Sequence, residues 1–281
     1  MNRRVLRRGV SNFMVGLMLG SVVVALLPLF LILFNLVVKG ASSLSLSFFS
    51  QMPAPAGESG GGVLHAIVGT LLIVGLASVM GLPIGIGAGV YCAEYPTSKL
   101  TWLTRFVADV LNGTPSIVVG VFAWAWIVAQ QKHFSAFAGS VALALLMIPM
   151  VLRTTEEMIK LVPNSLREAA LALGYPRWRT SLSVVIRTTL PGIVTGALLA
   201  IARIAGETAP LLFTALGSQY LSFKLTQPMA ALPLTVFTYA TGPYPQWHSY
   251  AWAAALVLIL VVFVLSLGAR LAISRRYSLN G

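Results

Sequence analysis

The sequence predicts an all-α membrane protein with six transmembrane helices, on three observations. Only 9% of its 281 residues are charged and 57% are hydrophobic, where a soluble domain gives about a quarter of its residues to charge. Charge-free runs extend over 11–38, 59–93, 110–131, 134–152 and 225–269. Each is near or above the ~20 apolar residues that a helix needs to cross hydrocarbon. The basic residues, finally, divide unevenly between the connecting segments. Lipid offers the backbone no partner outside its own segment, which selects helices.

The spans predicted from these runs cover 12–37, 63–91, 108–130, 135–160, 191–218 and 249–269. The first follows Arg3, Arg4, Arg7 and Arg8 and resembles a signal peptide, but its apolar run exceeds the ~7–15 residues of a cleavable one. It is therefore expected to be retained, and the paired arginines are read as an ordinary cytoplasmic tail rather than a twin-arginine signal. Residues 1–62 then form a cytoplasmic tail, the first span and an external loop, 63–270 the core of the remaining spans, and 271–281 a cytoplasmic tail. Gly60-Gly61-Gly62 lacks the Lys-Ser/Thr of a nucleotide loop and reads as a flexible approach to the second span. Within that span, Gly85-Ile86-Gly87-Ala88-Gly89 superficially resembles a dinucleotide loop. No strand precedes it, and small residues at this density suit close helix packing in lipid. In the third span Trp124 and Trp126 are expected to be packing residues, whereas Trp102, Trp247 and Trp252 suit the membrane interface. Pro228, Pro233, Pro243 and Pro245 make 219–248 an expected external loop.

With the N-terminus inside, fifteen of the 19 basic residues fall on the cytoplasmic side, against Lys39, Lys132 and Lys224 outside and Arg203 within the membrane. That is a strong positive-inside bias, and it accounts for the net charge of +12 without a nucleic-acid partner. His65, His133 and His248 lie apart near external boundaries, without metal-site spacing. A single cysteine, Cys92, excludes an internal disulfide. No GxSxG or HExxH motif and no paired membrane aspartates support a hydrolase.

The segment VPNSLREAALALGYPRWRTSLSVVIRTTLP (162–191) predicts a knob of two short helices. Pro163 stops the fourth span, Ser165 and Glu168 make a capping box, and Gly174 ends the first short helix. Pro176 opens a second that carries Arg177, Trp178 and Arg179, and Pro191 is expected to start the fifth span. Glu168-Ala169-Ala170 with Gly174 resembles the cytoplasmic signature of the ABC importer permease family (type I, MetI-like). Residues 184–191 depart from the Ile-x-Leu-Pro that continues the family pattern. Asp109 to Val118, Arg153-Thr154-Thr155-Glu156-Glu157 and Arg203 to Pro210 are similar to the phosphate-specific branch, and the resemblance covers about 63–270.

That resemblance implies a subunit without enzymatic activity or cofactor of its own, in a bacterial cytoplasmic (inner) membrane, with both termini cytoplasmic. It implies a homologous second permease subunit, an ATPase subunit dimer holding ATP and Mg, and a periplasmic phosphate-binding protein as partners. Glu168, Ala169, Ala170 and Gly174 would then couple to the ATPase, whose closure moves the knob and rocks the spans in alternating access.

Arg203 and Glu207 stand four residues apart on one helical face. Counted from Pro191 at ~1.5 Å per residue, Arg203 lies roughly 18 Å into the span, near the middle of a core about 30 Å thick. A charge there costs at least ~2.5–3.5 kcal/mol, so it should face the bundle interior or a wet cavity. Three roles compete: a static salt bridge, a gate, and direct contact with an anion, whose oxygens a guanidinium fork matches. Arg153 and Glu156 repeat the pattern at i, i+3. The expected translocation path therefore comprises Arg203, Glu207, Arg153, Glu156, Thr208 and Thr154, with phosphate as the anion that the resemblance implies. A permease for sulfate, molybdate or phosphonate is the nearest alternative. A self-standing anion channel would have no use for the knob, and a membrane enzyme would show turnover without a partner ATPase.

Overall fold

A computed structural model describes residues 3–55, 58 and 60–278; the last three residues of the sequence-predicted tail lie outside the described residues. Among the described residues five helices are long and apolar enough to cross a membrane, and a bent pair passes the same test when its two helices are taken together. Helix α1 (Arg3–Ala41) is followed by the short α2 (Leu46–Ser50), then α3 (Leu64–Glu94) and α4 (Lys99–Gly113). Ser116–Gln131 forms α5, widened by a π turn over Trp124–Val128, and Ala136–Lys160 forms α6. Helix α7 (Asn164–Ala172) precedes α8 (Arg177–Ala205), which has a π turn at Ser181–Val185. Helices α9 (Ala209–Thr214), α10 (Leu232–Thr241) and α11 (Pro245–Ser278) complete the chain.

The core is the parallel pair α3 and α6. Gly81, Gly85 and Gly89 recur every fourth residue on one face of α3. A Cβ at each would meet Met147 Sδ at 3.0 Å, Val151 Cβ at 2.8 Å, and Thr155 Cβ at 2.7 Å respectively. The three residues met are likewise four apart, so one small-residue stripe receives one ridge of α6. Gly87, between them, faces open space. Ile73, Ala77, Leu143, Met147, Ile204 and Leu211 fill the surrounding core. The loop after α9 returns over the start of α6, where Ser135 caps the helix by accepting from the Ala138 N–H. Thr70 accepts from the Leu232 N–H at 2.7 Å and so ties α10 to α3.

Four expected spans hold to within a few residues; two do not. Instead of 108–130 there are two helices bent by 106° at Thr114–Pro115. A residue before proline is pushed out of the α region, and Thr114 has φ −80° and ψ 130°. Helix α4 is consequently amphipathic, with Thr101 and Ala108 buried while Trp102 and Phe106 stack on its exposed side. The fifth span is 177–205 rather than 191–218. Pro191 sits inside the helix, where its missing donor is tolerated as in other packed membrane helices, so the expected second short helix is simply the start of α8. At its far end, α8 stops at Gly206–Thr208, where the Gly206 and Glu207 N–H groups turn back to Arg203 and Ile204. The expected loop 219–248 contains α10. Helix α7 begins at Asn164 with Pro163 at its cap and no side-chain cap bond, so the Ser165 capping box is not made. Trp124 and Trp126, expected to be packed, are exposed on this chain at the π turn, and His65 lies in the first turn of α3, buried there.

Candidate functional site

Four of the seven acidic residues hold an arginine: Glu94, Asp109, Glu156 and Glu207. They form three clusters along the bundle.

The first cluster sits where α8 ends. Arg203 is in the last turn, its guanidinium 54% exposed, with Nε 4.0 Å from Glu207 Oε1. At that separation the pair is at the limit of an ion pair rather than a tight one. Nη1 of Arg203 instead approaches Met150 Sδ at 3.1 Å. Met150 is fourteen residues into α6, roughly 21 Å from its start at 1.5 Å per residue, which keeps Arg203 at mid-span depth. Its exposed face cannot meet lipid at that depth without a large cost. Thr208 occupies the cap position of α9 without a side-chain cap bond.

The second cluster is built around Glu156, only 1% exposed. Burying a carboxylate is costly unless its oxygens are satisfied. Here Arg105 of α4 donates through Nε at 2.9 Å, Lys160 Nζ lies at 2.6 Å, and Arg153 Nη1 approaches the other oxygen at 3.4 Å. Arg105 also donates to the Cys92 carbonyl at 3.2 Å. The shorter contacts of Arg153 are to Asp109, whose two oxygens accept from Nη2 at 2.5 and 2.6 Å. Asp109 is itself 62% exposed, so Arg153 bridges a buried acid and an open one. Arg153 follows Met150, the residue that Arg203 approaches, by one turn of α6. Thr154 spends its hydroxyl on the Met150 and Val151 carbonyls and packs where a Cβ on Gly196 would fall, at the contact of α6 and α8.

The third cluster carries the knob. Helix α7 ends in the expected glycine stop: Gly174 has φ +83°, its N–H returns to Leu171 at 2.9 Å, and the Tyr175 N–H reaches Ala170 at 3.2 Å. Both bonds together satisfy the last carbonyls in a Schellman turn. Glu168 and Ala169 are exposed while Ala170 is buried. Leu166, Leu173 and Trp178 are exposed beside them, an apolar surface unusual for a polar loop.

Sequence reasoning counted Arg105 only among the cytoplasmic basic residues and used Asp109 only in the resemblance, so their pairing with Glu156 and Arg153 was missed. Lys160 was legible from its i, i+4 spacing to Glu156.

A protein-family model described as "Binding-protein-dependent transport system inner membrane component" matches residues 81–278. The "Phosphate transport system permease protein PstA" of Yersinia pestis is 47% identical over 96% of this chain and 92% of its own. That of Haemophilus influenzae is 46% identical, over 94% of each chain. "Phosphate transport system permease protein PstA 1" of Mycobacterium tuberculosis is 42% identical over 89% of this chain and 84% of its own. Among solved structures, the inward-facing MetNI methionine ABC transporter superposes with a TM-score of 0.65 at 18% identity, over 76% of this chain and 95% of that one. A bacterial alginate ABC transporter reaches 0.62 at 17%, over 98% of each; at such identities the fold alone is shared. The chain belongs, with these permeases, to the family of inner membrane components of binding-protein-dependent transport systems.

Proposed function

We propose that this chain is the permease subunit of an ATP-driven importer of inorganic phosphate. The observation that carries the reading is its 46–47% identity, over nearly its whole length, to phosphate permeases. The geometry is in keeping with it: the Arg203 guanidinium approaches Met150, and Arg153 follows one turn further along α6. Each is held by a carboxylate that an oxyanion could displace. A guanidinium stays charged at any ordinary pH and suits two oxygens at once, while a neighbouring acid keeps the anion from being trapped, since conduction needs weak enough binding to leave. Selection can then rest with a periplasmic phosphate-binding protein.

In this reading a homologous second permease covers the exposed face of Arg203 and completes the path. The knob around Glu168, Ala169, Ala170 and Gly174 docks on an ATPase dimer that holds ATP and Mg, so it and both termini are cytoplasmic, as the basic bias requires. Closure of the dimer moves the knob, and the spans rock about the path.

The test is reconstitution with those partners in proteoliposomes and ATP-dependent uptake of phosphate against sulfate. Arg203→Gln should abolish phosphate uptake while the complex remains assembled. Normal uptake by that variant removes Arg203 from the path, and preference for sulfate replaces phosphate as the cargo.

A further inference from the structure

Glu94 ends α3 and is not among the residues expected to work in coupling, yet it faces the knob. Its carboxylate takes a guanidinium nitrogen of Arg167 on one oxygen and the Ser181 hydroxyl, at 2.8 Å, on the other. Arg167 belongs to α7 and Ser181 to the first turns of α8, so one acid holds both arms of the knob. The second nitrogen of Arg167 donates to the Ile159 carbonyl at 3.3 Å, near the end of α6. Side-chain exposures of 22% for Arg167 and 17% for Glu94 keep this contact largely out of water, where charge-assisted bonds are stronger and better directed. Three membrane-crossing helices, α3, α6 and α8, thus meet α7 through three side chains, those of Glu94, Arg167 and Ser181.

We infer that Glu94 and Arg167 form the clasp through which movement of the knob reaches α3 and α6, with Glu94 as a positioning residue for coupling. The backbone alone already joins α7 to α6 and α8. Two segments flank α7, 161–163 and 173–176, and the second pivots on Gly174, so a push on α7 could be absorbed by bending there. The clasp removes that freedom by fixing α7 directly to the end of α3. Helix α3 is in turn locked to α6 along the Gly81, Gly85 and Gly89 stripe. Force applied at α7 therefore moves the pair that carries Arg153 rather than flexing the loop. Ser181 adds the matching tie to α8, the helix that ends at Arg203.

The inference rests on the importer reading, and its test separates the two. The reconstituted complex of this chain with its second permease, ATPase and phosphate-binding protein is assayed for phosphate imported per ATP hydrolysed. A wild-type complex that imports no phosphate but couples hydrolysis to another oxyanion overturns the cargo and leaves the clasp to be read on that anion. In Glu94→Gln, uptake per ATP should fall roughly tenfold, within the range typical of coupling between two sites, while the ATPase stays bound and basal hydrolysis continues. Glu94→Asp should fall less. The exchange Glu94→Arg with Arg167→Glu should recover part of the ratio that either single change loses, which a merely structural role would not produce. Unchanged coupling in Glu94→Gln overturns the clasp. Loss of the ATPase from that variant, or an exchange no better than its single changes, overturns transmission as its role.

Discussion

Replacing Glu156 by glutamine isolates the electrostatic hub of α6. The substitution keeps shape and volume but removes the one negative charge that Arg105, Lys160 and Arg153 share. Removing one partner of a buried pair typically costs about 3–5 kcal/mol, because the remaining charge is left unmet. Two features of this cluster pull the figure toward its lower end. Lys160 is 51% exposed and can rehydrate, and Arg153 retains Asp109. Among the described residues Arg105 meets no second carboxylate: its other contact is the Cys92 carbonyl. The expected loss is therefore about 3 kcal/mol, dominated by Arg105, which at ~2–4 °C per kcal/mol lowers the Tm by roughly 6–12 °C. Thermal unfolding of the purified complex, followed by the release of α4, supplies the measurement. Lys160→Met is the internal control, because a half-exposed pair contributes no more than ~1 kcal/mol. If Glu156→Gln and Lys160→Met destabilise equally, or if neither moves the Tm, the hub is not what holds α4 against α6.

Other perturbations separate packing, path and coupling. Gly85→Ala would place a Cβ 2.8 Å from Val151 Cβ and should cost about 1–3 kcal/mol as an overpacked contact. Gly87→Ala, facing open space, should gain up to ~1 kcal/mol of helix propensity; thermal unfolding of the two variants checks both signs. Asp109→Asn should shift stability by no more than ~1 kcal/mol, as an exposed pair does. It should nonetheless slow phosphate uptake, by leaving Arg153 to hold the anion longer; parallel Tm and flux measurements test that split. Gly174→Arg places a side chain at φ +83° in the turn that ends α7, and it should leave ATP hydrolysis running while uptake is lost.

The crossings were legible wherever a run of apolar residues alone determined them, as in α1, α3, α6 and α11. They were misread where a proline decided the outcome. Pro115 breaks a helix that composition would have continued, and Pro191 sits within one that it was expected to begin. The same hydrogen-bond deficit has opposite results: the residue before Pro115 is extended, while the helix runs on through Pro191. Arg203 with Glu207, and Arg153 with Glu156, could be read from spacing, since i, i+3 and i, i+4 neighbours share a helix face. The contacts of Arg153 with Asp109 and of Arg105 with Glu156 could not. They join residues 44 and 51 positions apart and depend on the angle at which α4 crosses α6, which the 106° bend sets.

The three clusters differ in how tightly each arginine is held, and the order bears on transport. Arg203 has its carboxylate at 4.0 Å and a thioether for its nearest polarisable partner. Arg153 has an exposed acid at 2.5 Å and a buried one at 3.4 Å. Arg105 and Arg167 are committed to carboxylates that are largely buried. An oxyanion entering at the mid-span end would find the freest guanidinium first. Passing to Arg153, it would have to displace Asp109, which remains close enough to reclaim the guanidinium. In the proposed path, binding would thus begin where competition is least and end where a resident acid favours release, while the two committed arginines hold α4 and the knob in place. A path in which Arg153 were the looser group would bind phosphate at the far end and retain it, the opposite of what import requires.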